Sequence, residues 1–260
     1  MPIATYTETE LRSGVCAAVW TVAMHEATDA WLVLPDGSID VVLSAGGVPV
    51  VAGPATRPVT RSVAAGSRTV GVRLRPGAAA AVLGVAADEL RDRSVPLDAL
   101  PVRWAGLGEQ CRVGTTRGGV SSAVELAGSG DLPGAGQALI AALAAAPHRR
   151  APDPLAGAAA ALLTDDPSLA AGDVARITSL SGRQLLRRCE RSLGIGPKRY
   201  ARIMRLQRFL AAGRRRPDLS LSELAFDTGY ADHAHLAADC RELADRTPSA
   251  LLGDRRAIAI

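Results

Sequence analysis

Apolar residues between positions 15 and 75 come in short, Val-rich runs: Val15–Met24, Ile39–Leu43, Val48–Val51 and Thr69–Leu74. Turn signals separate them, at Pro35-Asp36-Gly37, Gly46-Gly47, Gly53-Pro54 and Pro76-Gly77. Short β-branched runs cut by Gly and Pro predict strands, and several in succession predict a sandwich or small barrel. From Gly77 the apolar spacing turns helical, over Ala78–Leu83, Ala87–Arg93 and most strongly Ala135–Ala146. Residues 106–130 are rich in Gly, Ser and Thr and predict a loop. Three prolines between 147 and 154 cannot continue a helix. They divide the chain into a β-rich domain over 1–146, a stiff extended linker over 147–154, and a helical domain over 155–260.

The pattern beyond the linker repeats loosely at a period of about fifty. Leu155–Leu163 and Ser168–Ile177 predict helices, and Thr178-Ser179-Leu180 breaks the second. Ser181 is a natural N-cap for a third. In that third helix Leu185, Leu186, Cys189 and Leu193 share one face, and Arg183, Gln184, Arg187, Arg188 and Arg191 share the other. Gly194 and Gly196 end it. Pro197–Ala212 follows as a long helix, with Ile203, Leu206 and Leu210 inward. The short-helix pattern then recurs. A helix starts near Ser220 or Ser222, Gly229 breaks it, and Asp232 caps a helix with Leu236, Cys240 and Leu243 inward. Its outward positions read His233, Ala234, Ala237, Ala238 and Arg241. Thr247-Pro248 closes the unit, and Ser249–Leu252 predict one more turn.

Two short helices joined by a tight break, the second with a polar outer face, form a helix-turn-helix. The first helix braces the second, which fits a DNA major groove. The expected fold is therefore an α+β barrel- or sandwich-like domain followed by an all-α domain with two helix-turn-helix units.

Charge sharpens the picture. Of 30 basic and 26 acidic residues, 13 of each fall in residues 1–152, so the net charge of +4 lies wholly beyond them. Residues 176–216 hold 13 basic groups against Glu190 alone. An arginine-studded helix by itself is usually a solvated face. Two capped units, a connecting helix and this charge together favour a polyphosphate partner. No apolar run is long enough for a membrane span, and the N-terminus shows no secretory leader, so a cytoplasmic protein is expected. Cys16, Cys111, Cys189 and Cys240 are 95, 78 and 51 positions apart, which suits neither a zinc site nor a disulfide scaffold; reduced, buried thiols are expected.

From Leu169 to Leu251 the residues resemble the DNA-binding domain of the AraC family of bacterial transcription regulators. The first unit reads Ser181-Gly182-Arg183-Gln184-Leu185-Leu186-Arg187-Arg188-Cys189, then Leu193-Gly194-Ile195-Gly196-Pro197-Lys198-Arg199-Tyr200, then Arg205-Leu206. The second reads Ala225-Phe226-Asp227-Thr228-Gly229-Tyr230-Ala231-Asp232-His233-Ala234-His235-Leu236, then Thr247-Pro248-Ser249-Ala250-Leu251. The resemblance implies that both units bind specific double-stranded promoter DNA, that RNA polymerase is a partner, and that the chain activates or represses. It places DNA contacts at Arg183, Gln184, Arg187, Arg188 and Arg191, at His233, Ala234, Ala237 and Arg241, and with less weight at Arg202 and Arg205. His235 matches a structural histidine of the family.

The departures carry information. Ser179 stands where the family commonly has a turn glycine, and Cys189 and Cys240 stand at its phenylalanine positions. The second recognition helix is poor in hydrogen-bonding side chains, so the first unit is expected to dominate affinity.

More weakly, Leu34-Pro35-Asp36-Gly37-Ser38-Ile39-Asp40 and Gly71-Val72-Arg73-Leu74-Arg75-Pro76-Gly77-Ala78 resemble the β-rich sensor domains that precede this unit in family members. That implies a small-molecule effector and a homodimer. Trp20, Trp31, Arg73 and Arg75 are the candidate ligand residues; core packing of the tryptophans and solvated arginines are the competing reading. Arg73 and Arg75 alternate along one strand and so share a face without matching acids. His25, beside Glu26 and Asp29, reads as a surface or turn residue. No nucleophile elbow, phosphate loop or paired-histidine motif marks an enzyme, and no catalytic residue, cofactor or metal is expected. Two alternatives remain: a DNA-repair methyl-acceptor acting through Cys111 beside Arg112, and a nucleoid-packing protein that binds every sequence alike.

Overall fold

The computed structural model describes residues 3–12, 14–102, 119–146, 151–254 and 257–258. Its first half is built on strands β1 (Ala4–Glu10), β2 (Cys16–Met24), β3 (Thr28–Val33), β4 (Asp40–Ser44), β5 (Val50–Ala52), β6 (Val59–Val63), β7 (Arg68–Leu74) and β8 (Ser94–Pro96). The larger sheet has the order β1-β2-β7-β4-β5-β8. The smaller has the order β6-β3-β9, where β9 (Ala257–Ile258) returns from the far end of the chain to lie parallel to β3. The two sheets face each other without closing into a barrel, so the open, sandwich-like form of the expected fold is the one adopted.

The period of two sorts the larger sheet's side chains. Val41, Leu43, Val51, Val70 and Val72 point to one face, and Trp20, Val22 and Met24 point to the other with Trp31 of β3. The first face is covered by α1 (Ala79–Leu83), α2 (Val120–Ser129) and α3 (Leu132–Ala145). The α2 helix corrects the loop expected over 106–130. Val120, Ala123 and Ala127, at spacings of three and four, all bury, and left-handed Gly130 ends the helix. Gly106-Leu107-Gly108, Cys111 and Arg112 lie outside the described residues. The β1 strand was not expected either. Its Thr-Tyr-Thr-Glu-Thr-Glu sequence is largely polar because it is an edge strand with little buried area.

The second half consists of α4 (Pro154–Asp165), α5 (Ala171–Ile177), α6 (Gly182–Leu193), α7 (Pro197–Arg215), α8 (Leu221–Asp227), α9 (His233–Ala244) and α10 (Pro248–Gly253). The Asp153 carboxylate accepts from the Leu155 and Ala156 amides, so Pro154 is the first residue of α4 rather than part of a linker. Ser181 and Ser220 cap α6 and α8 in reciprocal capping boxes with Gln184 and Glu223. Asp232 caps α9 through the His235 amide, 2.7 Å. Ile203, Leu206, Phe209 and Leu210 of α7 form the axis of the helical core, with Val174, Leu185, Cys189, Leu224, Leu236 and Cys240 around them.

That core also takes in Leu32 and Leu34 from the first half. The Gln207 amide donates to the Pro35 carbonyl at 2.6 Å, and Arg91 donates to the Gly194 carbonyl at 2.5 Å. Arg199 donates to the Thr56 carbonyl. Gly37 (φ 75°) lies against the Tyr200 ring, and a Cβ there would come within 2.9 Å of it. The two halves are therefore packed directly on one another.

Candidate nucleic-acid interface

The two helix pairs, α5/α6 and α8/α9, are built by the same local devices fifty residues apart. Thr178 is buried, and its hydroxyl donates to the Val174 carbonyl at 2.7 Å; Thr228 does the same to Leu224 at 2.6 Å. The Leu180 amide reaches back to Ala175 and the Tyr230 amide to Ala225, at 2.8 and 2.9 Å. The position between is left-handed in both, Ser179 at φ 54° and Gly229 at φ 88°. Between the pairs α7 runs 19 residues, about 28 Å.

On α6, Arg183, Gln184, Arg187 and Arg191 are exposed, and the three arginines form no ion pair among the described residues. Gln184 is partly committed, since its Oε1 accepts from the Ser181 amide at 2.9 Å. Arg188 is turned toward α4 and donates to Asp153 at 2.8 Å. Leu186 departs from the expected apolar face: it is 44% exposed, while Leu185, Cys189 and Leu193 bury. A buried stripe about one side chain wide leaves it on the shoulder of the helix.

On α9, His233, Ala234, Ala238 and Arg241 face outward. Ala237, expected among them, is buried at 6%, one turn along from the helix start on the side of Leu236 and Cys240. The outward surface of α9 thus offers Arg241 as its one guanidinium among the described residues. His235 lies edge-on to the Tyr230 ring at 5.2 Å between centroids, a packing role. His25 shares a hydrogen bond of 2.7 Å with Thr5.

Arg202 and Arg205 are half-buried and turned toward carboxylates of α9. Arg202 donates to Asp239 at 2.9 Å and to Glu242 at 3.1 Å, and Arg199 pairs with Glu242 as well. Arg205 approaches Asp239 at 4.0 Å and lies 5.5 Å above the Tyr230 ring. Asp239 is 2% exposed. This clamp fixes α9 against α7, and a buried carboxylate with an arginine facing it holds only while both partners stay. It was readable in part, because Asp239 adjoins Cys240 on the buried face of α9, where an acid calls for a cation.

Cys16, Cys189 and Cys240 are buried and unbridged. Burial pushes their thiols up to about 11, 11 and 12, which leaves little thiolate at neutral pH.

In the first half, a cavity of about 690 Å³ opens between the two sheets. Trp20, Trp31, Asp36, Asp40 and Val42 line it, with Arg61 and Arg68 at its exposed rim. The Trp20 indole lies over Gly71, where a Cβ would come within 2.1 Å of the ring, and its Nε1 donates to Asp40 at 2.9 Å. Arg73 and Arg75 are not in this lining. Arg73 has matching acids after all: it donates to Glu8 at 3.1 Å, Asp36 at 3.1 Å and Asp40 at 3.4 Å. Asp40 and Arg73 are direct cross-strand partners, a register that local spacing does not reveal. Arg75 lies beyond the end of β7 and donates to the backbone carbonyls of Gly14 (2.9 Å) and Leu11. Burial pushes the Asp36 carboxyl up to about 6 against the pull of Arg73, and it also raises Asp40.

Among the described residues, no group of three or more His, Cys, Asp or Glu is placed to hold a metal, and no helix is long and apolar enough to cross a membrane.

Residues 174–254 match a family model described as a helix-turn-helix domain, and residues 10–96 match one described as a domain of unknown function, DUF6597. No curated protein matches the chain. Three solved structures are similar to it. The C-terminal domain of AraT, a response regulator from Geobacillus stearothermophilus, is 18% identical over 39% of this chain and 85% of that one, with a TM-score of 0.37. A transcriptional regulator described as having an AraC-type DNA-binding domain, from Chromobacterium violaceum, is 24% identical over 39% and 92%, with a TM-score of 0.36. ToxT from Vibrio cholerae is 8% identical over 96% and 97%, with a TM-score of 0.42.

Proposed function

We propose that this chain, whose residues 174–254 form a helix-turn-helix domain of the AraC type, is a cytoplasmic transcription regulator that reads specific promoter DNA in two successive major grooves under control of a small molecule held by its first half. The observation that carries this reading is the pair of like-built units braced on α7, the first of which turns Arg183, Arg187 and Arg191 outward with no acid among the described residues to pair with them. Arginine forks suit guanine edges and phosphate oxygens. Major grooves recur on one DNA face about every 34 Å, and a strut of about 28 Å suits that spacing.

Gln184 joins these arginines with the part of its amide that the cap leaves over, and α9 contributes through His233, Ala234 and Arg241. With one outward guanidinium, α9 adds less affinity than α6. Arg188, Arg202 and Arg205 serve the fold instead, through the carboxylates they hold. Contact with RNA polymerase and pairing of two chains belong to the same proposal. The β-rich half places a cavity within reach of the strut: Asp36 lines the cavity, and its neighbours Pro35 and Gly37 touch Gln207 and Tyr200 of α7.

Selection of bound duplexes from a random pool by the full-length protein tests the proposal. Enrichment of a motif in two parts, one helical turn apart, is the expected result. Retention of all sequences alike would mark a nucleoid-packing protein and overturn it.

A further inference from the structure

The face of the larger sheet that carries Trp20 holds an imbalance of charge among the described residues. Glu8, Asp36 and Asp40 all converge on one guanidinium, that of Arg73, which donates Nη1, Nη2 and Nε to them in turn. Asp40 and Asp36 are largely withdrawn from water, with side chains 9% and 16% exposed. Carboxylates removed from water without counter-charge are costly, and a proton or a cation has to offset them. Among the described residues, the remaining cations along the cavity do not do so. Arg61 and Arg68 sit at its exposed rim, and Arg68 is directed to the Gly130 carbonyl on the far side of the sheet. Tyr6 is occupied with Glu8, and Tyr200 with Thr164.

Beside this surplus lies empty space of the right kind. The cavity, about 690 Å³, is of the size that encloses small molecules, roughly 300–1,000 Å³. Asp36 and Asp40 form one part of its wall; Trp20 and Trp31, both nearly fully buried, form another with Val22, Met24 and Val42. Indole surfaces attract cations as well as flat apolar groups.

We infer that the cavity binds a small organic cation, with its ammonium group at the Asp36–Asp40 wall and a flat apolar body between Trp20 and Trp31. This deepens the effector reading above and rests on it. The ligand supplies the positive charge that Arg73 alone does not, and the tryptophans reject the strongly hydrated inorganic cations that could otherwise fill the role.

The test uses full-length protein and three probes of one shape: phenethylamine, phenethyl alcohol and phenylacetate. Binding is followed by tryptophan fluorescence and by the thermal midpoint. Phenethylamine is expected to bind at least about tenfold tighter than the alcohol, and phenylacetate more weakly than either. Asp36→Asn is expected to remove the preference for the amine while the alcohol binds as before. Val42→Trp, which fills the cavity, is expected to abolish binding of all three. Equal binding of amine and alcohol, tighter binding of phenylacetate, or no binding of any probe overturns the inference, as does unchanged binding in Val42→Trp. DNA retention is measured on the same samples. Protein that selects a DNA motif but shows no preference for the amine sinks this inference alone; protein that binds the amine but no specific DNA sinks the regulator reading and leaves the site.

Discussion

Ser179 and Gly229 occupy the same left-handed turn in the two halves of the helical repeat, at φ 54° and φ 88°. A residue with a Cβ is strained there and glycine is not, a difference of about 1 kcal/mol. Ser179→Gly is therefore expected to stabilise the helical domain by ~0.5–1 kcal/mol, and Gly229→Ala to destabilise it by a similar amount. The space around Gly229 is open to 3.8 Å, so the second effect comes from the backbone alone. Urea denaturation of the two variants measures both. A destabilised Ser179→Gly would mean that the serine side chain contributes more than its strain costs.

Arg187 and Arg188 are neighbours with different surroundings. Arg187 faces outward with no ion pair among the described residues, whereas Arg188 ties α6 to Asp153 at 2.8 Å. Arg187→Ala is expected to cost ~1–3 kcal/mol of specific DNA binding and leave stability within error. Arg188→Ala is expected to lower stability by about 0.5–1 kcal/mol, since the pair is half-exposed, with a smaller effect on DNA. Titration of a selected duplex, beside thermal melts, separates the two; equal losses of DNA affinity would defeat the division.

Asp239 offers a third test. It is buried and held by Arg202. Asp239→Ala leaves Arg202 with Glu242 only and is expected to destabilise by ~2–4 kcal/mol, more than Glu242→Ala, which removes an exposed partner. The milder Asp239→Asn keeps the shape and loses the charge. It should still fold, yet bind two-part DNA sites more weakly than the parent while single half-sites are bound equally, because α9 is freed from its register on α7.

The acid pair of the cavity predicts a pH dependence. Asp36 is raised from 3.8 to about 6 in the fold, chiefly by burial. In that interval the folded protein holds a proton that the unfolded chain has released. Its contribution to stability is thus full below about pH 4 and is lost as pH rises through about 6, on the order of 1–3 kcal/mol. Stability measured from pH 4 to 7 should fall more for the parent than for Asp36→Asn, the two slopes becoming equal only above about pH 6. Parallel curves would assign the proton elsewhere in the cluster.

Much of the helical domain was legible because its devices are local. A capping serine three residues before Gln184, a glycine past the last turn and a proline opening α7 each act within a few residues, and periodicity carried Leu185, Cys189, Leu236 and Cys240 to the interior. What stayed hidden was set by distant partners. Whether Arg188 or Arg202 reaches DNA or a carboxylate depends on Asp153 and Asp239, thirty-five and thirty-seven positions away. Arg73 looked unmatched because its acids lie on β1, on β4 and on the loop at Asp36, brought together only by sheet register. The α2 helix was masked by its own composition, since Gly, Ser and Ala serve a tight helix–helix contact as readily as a loop. Ala237 was misplaced by about one position of helical phase, a small angular error that decides whether a short side chain meets solvent or the core.

Gly37 presses so closely on Tyr200 that no bulkier residue fits between them, and Gln207 is latched to the carbonyl two residues earlier. The joint between the protein's two halves is accordingly not a hinge with slack but a gear with meshed teeth. A shift of the acidic wall of the cavity is therefore expected to press directly on α7, the shaft between α6 and α9.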